Sequence, residues 1–556
     1  MNQLRGVVAL FAALIIVGLP GPSMWAQSPE SYRGLLTARV RADKLEGPQH
    51  LGDYVKDGKL RLSLDAAVRL TLANNSNIRI EETQIEARKF TLLGAYQPFD
   101  PNVQTIANVN RYSTPTSSEL QGVGQSGTSA LNTLTQNTLT QIAQISYTQT
   151  FRTGTNFAGT ISSTKSSTNI SYNYFNPYFN SLLSFQFTQP LLRNAGLFAN
   201  TASLVIARRS LQQSRDSFNA EVSDAIYQTV MQYWAVVEAR ESLRVEQESL
   251  HLAEASYVRD KRALELGALP PLDIYRSQSE VASRKLQEIQ GEYALKQSED
   301  NLRLTIGANR DAAIHTLEME LTEKPEPEGE LYSTTADEAL ARALAARPEI
   351  EAAQDALVND ATSIRLAHNR LLPDLELTGF YQSSGLGGNL RDLNNGALIA
   401  QGGLGSSFNQ LSGFGFPGYG ATLTLNLPIR NRAAQANLGS ALVARHSDQV
   451  SAQQTREQII AQVNDAVRQL EEAKLTLEAG KSSYELAQKS LAAEQRKFEL
   501  GTETNYFVLD AQTKMAQADL DLLQTQVNYQ IARAAVEHAT GSLLEPYRIQ
   551  IKEITQ

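Results

Sequence analysis

Residues 184–189 read SFQFTQ and residues 421–427 read ATLTLNL. In the first, Phe185 and Phe187 stand opposite Ser184, Gln186 and Thr188. In the second, Leu423, Leu425 and Leu427 stand opposite Thr422, Thr424 and Asn426. A period of two places one class of residue on each face of a strand. Leu375 and Leu377 alternate with Glu376 and Thr378 in the same way, and ISYTQTF (145–151) alternates more loosely. Such faces suit a soluble sandwich, or a membrane wall with lipid on one side and water on the other.

The start of the chain favours the membrane. Arg5 precedes a thirteen-residue apolar run, Val7–Leu19, and small residues follow to Gln27, which together read as a secretory signal over 1–26 with an extension over 27–60. The run is short for a membrane helix, and no later apolar stretch approaches about 18 residues, so contact with a bilayer has to be made by another route, such as strands. The chain has 556 residues, a net charge of -9 and no cysteine. The charge gives no nucleic-acid footprint. Disulfides, thiolate nucleophiles and zinc–thiolate sites are excluded.

Around the strands the period changes to seven. At an offset of 272, Asp65 falls on Asp337, Ile78 on Ile350, Ile85 on Leu357 and Pro101 on Pro373. At an offset of 234, Gly267 falls on Gly501, Gly307 on Gly541, Val236 on Leu470 and Leu302 on Val536. The chain therefore reads as a tandem duplication, 61–310 and 333–545, joined by a linker over 311–332 that contains EKPEPEGE (323–330) and followed by a tail over 546–556. Each repeat runs helix, strands, long helix, break, helix. The long helix from about 199 to 264 spans roughly 100 Å at 1.5 Å per residue. Its heptads imply left-handed supercoiling, with Ala466, Ala473, Gly480 and Ala487 allowing close approach in the second repeat.

The breaks themselves are paired. LGALPPLDIYRSQ (266–278) and LGTETNYFVLDAQ (500–512) both open Leu-Gly and close on Gln. Pro270 and Pro271, beside Leu269 in the tip turn, forbid a continuous helix in the first. Gly267, and Gly501 with Thr502, suit helix ends. The breaks, near 267–273 and 501–507, are expected to be helical reversals about 100 Å from the strands.

Two strands per repeat give four per chain. Four cannot close a barrel, and open edges in hydrocarbon leave backbone groups unsatisfied at several kcal/mol each. Three copies supply twelve. Residues 148–162 are open to two readings, a further hairpin turning at Gly154 within the barrel or one outside it. The polar stretch 113–141 and the Gly-, Asn- and Ser-rich stretch 383–418 read as loops. Tyr172, Tyr174, Phe175, Tyr178 and Phe179 suit an aromatic girdle or a packed loop cluster.

The duplicated plan, SLDAAVRLTLANN (63–75), QPLLRNAG (189–196) and the two breaks, in this order, resemble the TolC-like outer-membrane efflux protein family over most of 61–545. The resemblance implies a mixed α and β membrane protein: a trimeric 12-stranded outer-membrane barrel, four strands or more per chain, continued by a long α-helical coiled-coil periplasmic tunnel. It implies a channel serving as the passive exit duct of a tripartite efflux pump or type I secretion system. The implied partners are two further copies, outer-membrane lipid, a periplasmic adaptor (membrane fusion) protein and an inner-membrane transporter, with no nucleic acid. It implies no cofactor, no metal and no enzymatic activity. The alternative is a coiled-coil structural or adhesin-like surface protein anchored by a β-barrel, which has no use for matched reversals.

Family tips close through an aspartate-lined constriction and links between helix turns. Asp273 matches the acid of the first repeat and Asp510 one acid of the second, where Phe507 replaces the other. Phe498 and Glu503 stand where Tyr and Arg are usual. Phe498 has no hydroxyl and Glu503 would repel Asp273, so a different closure is expected. Asp510 reads either as part of a threefold ring of charge or as a solvated carboxylate at a helix start.

No catalytic constellation competes with this. GFGFPG (413–418) matches G-x-G-x-x-G, but a strand follows where a dinucleotide site needs a helix. The six His lack ligand spacing.

Overall fold

The computed structural model describes residues 47–115, 135–169, 173–267, 272–327, 329–392, 397–500 and 502–547. The expected signal (1–26), most of the extension, Tyr172, Leu269, Pro270, Pro271, Gly501 and residues 548–556 of the tail lie outside the described residues.

A small strand pair opens the fold, β1 (Val55–Lys56) and β2 (Lys59–Leu62), followed by α1 (Leu64–Asn74) and α2 (Ser76–Gly94). Four strands follow: β3 (Asn102–Pro115), β4 (Thr135–Thr150), β5 (Asn156–Thr168) and β6 (Phe175–Pro190). They lead into α3 (Gly196–Glu265), which turns back as α4 (Asp273–Thr305). The link carries β7 (Met319–Leu321). The second half repeats the order with α5 (Ala336–Ala346), α6 (Pro348–Leu371), β8 (Asp374–Arg391), β9 (Leu398–Ala400), α7 (Leu404–Ser412), β10 (Pro417–Asn426), α8 (Arg432–Glu499) and α9 (Asn505–Ala539).

The helix starts follow from local chemistry. Ser63 and Thr335 cap α1 and α5 by accepting from Ala66 and Glu338, and an acid, Asp65 or Asp337, sits in each first turn where the helix dipole favours it. Asn75 and Asn431 cap α2 and α8. Pro348 stands in the first turn of α6, where its missing N–H costs nothing.

The long strands form an antiparallel sheet in the order β10-β8-β6-β5-β4-β3, with β9 paired to β8, apart from the small sheet β1-β2-β7. Among the described residues the expected four strands are thus six long ones, the first half supplying four. The stretch 148–162 is where β4 turns into β5, with Gly154 at φ +87. The stretches read as loops are partly sheet: β3 ends at Pro115, β4 starts at Thr135, and β8 runs to Arg391. Thr, Gln and Asn on both faces leave no alternation to read, yet pair as well as any residue. Glycine in β8 has a separate cause. A Cβ on Gly385 would lie 2.1 Å from the backbone oxygen of Ser407, so α7 can press on the strand only where side chains are missing.

The pairing register gives the sheet two faces. One row runs Thr105, Ile145, Ile161, Leu183 across four strands; Leu377 pairs with Leu423 and Leu375 with Leu425 on the same face. The opposite face carries Gln144, Ser146, Thr160, Ser184, Thr378 and Thr424. Val103, Phe187, Tyr419, Leu423 and Leu425 are all more than half exposed on the apolar face. Among the described residues no helix is long and apolar enough to cross a membrane. Of the expected girdle, Phe179 lies on the apolar face under Lys165, 5.7 Å from its ring centre, while Tyr178 falls on the polar one. The larger aromatic surface is at the other end, where Phe157 lies 4.8 Å from Phe187 and 6.0 Å from Tyr147.

At the junction with the helices, β6 and β8 are tied by an Arg193–Asp374 ion pair and by Leu191 N–H donating to Leu375 O at 2.8 Å. The main core lies far below, around the middle of α3. Tyr233 and Trp234, edge to face with centroids 5.8 Å apart, pack with Leu60, Leu62, Leu70 and Met319. Here β2 pairs in parallel with β7, and Glu323 accepts from Leu64 N–H at 2.9 Å and from the Tyr233 hydroxyl. Burial and that carboxylate push the Tyr233 hydroxyl far above its ordinary value. The start of EKPEPEGE is therefore anchored, where the composition suggested nothing to hold it.

Candidate functional site at the helix tips

The α3 and α8 helices have 70 and 68 residues, each roughly 100 Å at 1.5 Å per residue, and both end at the matched breaks. Gly267 sits in the left-handed region at φ +73 and donates to Leu264 O at 2.9 Å, which closes the last turn of α3. At the second break Thr502 N–H reaches Lys497 O at 3.1 Å, the six-to-one bond of a Schellman end, and its hydroxyl donates to the same oxygen at 2.9 Å. Asp273 and Asn505 then begin α4 and α9.

One buried carboxylate joins the two tips. Asp260, on α3 and only 5% exposed, accepts the Ser277 hydroxyl from α4 and the Asn505 amide from α9, the latter at 3.0 Å to each carboxylate oxygen. A buried charge is tolerable when hydrogen-bonded in this way. A second tie lies further up, where Arg284 of α4 donates to Thr513 of α9 at 2.7 Å.

The residues named from the sequence fall around this hub. Phe498 stacks under Arg259, whose guanidinium carbon is 5.7 Å from the ring centre, so the lost hydroxyl is replaced by a cation–π contact. Glu503 faces Lys497 at 3.4 Å, and Lys497 also holds Glu494 at 2.8 Å. That hydrogen bond keeps the Glu494 carboxyl below its usual range. Phe507 is exposed and meets Tyr506 edge to face, centroids 5.4 Å apart. Asp510 is paired with Lys514 at 2.7 Å, which offsets much of its charge and raises the lysine. The Asp273 side chain is outside the described ones. Among the described residues, Phe498 is the predicted tip residue that meets the hub's helix segment, through Arg259.

Asp260, Ser277 and Asn505 were not singled out in the sequence, though a signal exists. At the offset of 234, Asp260 matches Glu494, and Glu494 follows Ala487 by seven residues in the lane of small residues. An acid in that lane in both repeats, seven residues or about two turns before each break glycine, marks a polar hub.

Residues 339–542 match the family model described as outer membrane efflux protein. The fold resembles solved outer-membrane channels. The Campylobacter jejuni CmeC outer membrane channel has 15% identity and a TM-score of 0.58, with 91% of this chain and 90% of that one covered. The Vibrio cholerae outer membrane protein VceC has 13% identity and a TM-score of 0.58, with 86% and 96% covered. The open state of the Neisseria gonorrhoeae MtrE outer membrane channel has 16% identity and a TM-score of 0.55, with 90% and 98% covered. A search of curated proteins by sequence found no match.

Proposed function

We propose that the chain, whose residues 339–542 match the outer membrane efflux protein family model, lies in the outer membrane as the passive exit duct of a tripartite pump or type I secretion system. Three copies join their sheets into one barrel with the apolar faces toward lipid, and their helices continue it as a tunnel into the periplasm. The observation that carries this is the direct run of β6 and β10 into helices about 100 Å long, which places one apolar-faced sheet at one end and two reversals at the other. A barrel-anchored fibre has no need of reversals tied through a buried carboxylate.

The duct works without chemistry. Hydrocarbon enforces closure of the sheet because unpaired strand edges are costly there. The polar face lines the bore. At the tips, the Asp260–Ser277–Asn505 hub holds the two hairpins of each copy together, and its release lets one hairpin swing from the other. Residues 268–272 and 502–506, between the paired helices, form the surface for a periplasmic adaptor, which couples the duct to an inner-membrane transporter. Asp510, half-buried beside Lys514, contributes a ring of three carboxylates whose field is partly cancelled.

The test is cross-linking in whole cells from single cysteines at 268–272 and 502–506, with the outer-membrane fraction run unheated and heated. The expected result is a heat-modifiable trimer and capture of an adaptor. A monomer in the soluble periplasm, or capture of the chain's own copies alone, would overturn the reading.

A further inference from the structure

We propose that the β4–β5 hairpin belongs to the membrane wall, so that three copies close a barrel of eighteen strands, with β10 of one copy pairing to β3 of the next. This rests on the three-copy assembly proposed above. The sheet has six long strands in unbroken antiparallel order, and three copies of six make eighteen.

Three observations keep the hairpin in the wall. First, it is bonded along both sides. Every residue of β3 from Asn102 to Pro115 has a partner on β4, and β5 pairs with β6 from Asn156 to Ser166. A hairpin folded into the bore as a plug would have to tear both ladders. Second, it keeps the alternation of the other strands. Ile145, Tyr147, Phe157 and Ile161 share the apolar face, while Gln144 and Thr160 share the polar one. A plug in water has no use for an apolar face, whereas a wall strand requires one. Third, the aromatic surface crosses the seam, because Phe157 of the hairpin lies 4.8 Å from Phe187 and 6.3 Å from Phe185 of β6.

The open edges then determine what must be added. β3 and β10 are the two ends of the sheet and its most exposed strands. Six strands fall short of the eight or so in the narrowest natural membrane barrels, so one copy cannot close on itself. β3 runs away from the helices and β10 returns toward them, so β3 of one copy meets β10 of another antiparallel. Val103 and Val109 then continue the apolar face of Leu423 and Tyr419. At about 4.8 Å between strands and a tilt of about 40°, eighteen strands give a radius of about 18 Å, against about 12 Å for twelve. The bore is roughly half as wide again, which suits bulky or folded cargo.

The chain has no cysteine, so single labels can be placed cleanly. Ser184 lies on the polar face of β6, a wall strand under either count. Spin labels on S184C in full-length trimers are separated by about 30 Å around an eighteen-stranded ring and about 20 Å around a twelve-stranded one. Pulsed electron paramagnetic resonance reads this distance. A value near 30 Å in a particle of three-copy mass supports the inference. A value near 20 Å in such a particle overturns it and leaves the export reading standing. A particle of one or two copies removes both. Independently, T160C should react with a membrane-impermeant maleimide in lipid vesicles and I161C should be protected. Equal reaction at both positions would also place the hairpin in the bore.

Discussion

Asn505, the first residue of α9, donates its side-chain amide to both carboxylate oxygens of Asp260 on α3, at 3.0 Å each. Residues 245 positions apart thereby fasten one helical hairpin to the other. A hydrogen bond to a charged group contributes about 1.5–3 kcal/mol, so its loss shifts a closed–open balance by roughly ten- to a hundredfold. Asn505→Ala should raise the open fraction in planar-bilayer recordings by that order. Ser277→Ala should do so less, since Asp260 keeps the bidentate amide. Unchanged conductance in Asn505→Ala would show that the hub is not part of the closure.

Asp510 and Lys514 oppose each other at the tip. Asp510→Ala should weaken block of the channel by multivalent cations. Lys514→Ala should strengthen it several-fold, because the carboxylate then faces the opening uncompensated. The two variants shifting block in the same direction would remove this pair from the conduction path.

The sheet predicts a contrast between neighbours. Leu423 lies on the apolar face and Thr424 on the polar one. Leu423→Arg should cost about 2–4 kcal/mol of folding free energy in lipid, as arginine does near the bilayer midplane. Thr424→Arg should cost far less. Urea titration of vesicle-inserted protein measures both, and equal costs would contradict the assignment of faces.

The heptads and the paired breaks made the long helices and their reversals legible, because a seven-residue period survives in any sequence that must bury one stripe. Alternation did the same for the lower strands, where Phe185, Leu377 and Leu423 stand against Ser184, Thr378 and Thr424. It failed for the upper half of β4, where Thr138, Thr140 and Gln141 leave neither face apolar, and for β8, whose glycines exist to admit α7. At the tip, the break residues carry the visible signal, and Asp260 lies about two turns earlier. Its partners come from two other helices, and only the meeting of both hairpins brings them to one carboxylate.

Stability against pH has a definite sign at Asp216, which is buried on α3 and accepts from Gln212 at 3.1 Å. Burial pushes its carboxyl above the ordinary range, and the Glu351 and Asp355 carboxylates add to this. A raised folded-state value means that folding favours the protonated acid. Its contribution is fully present below the unfolded value of about 3.9 and is lost as pH rises through the folded one. Asp216→Asn should therefore stabilise the protein near neutrality, with the gain disappearing below about pH 4. Thermal melts at the two pH values decide this, and destabilisation of the variant at neutral pH would contradict it.

The packing around Tyr233, with β2 bonded to β7, grips α3 near its middle and leaves the lower part of the helix with few buried neighbours. That grip acts as a fulcrum. From Tyr233 to Glu265 the free arm measures roughly 50 Å at 1.5 Å per residue. A swing of about 10° carries its end through about 8 Å, enough to part the Asp260 contacts while every bond above the grip stays as it is. In the proposed duct an aperture at the tips is thus worked by a long lever, and the sheet above need not deform when it moves.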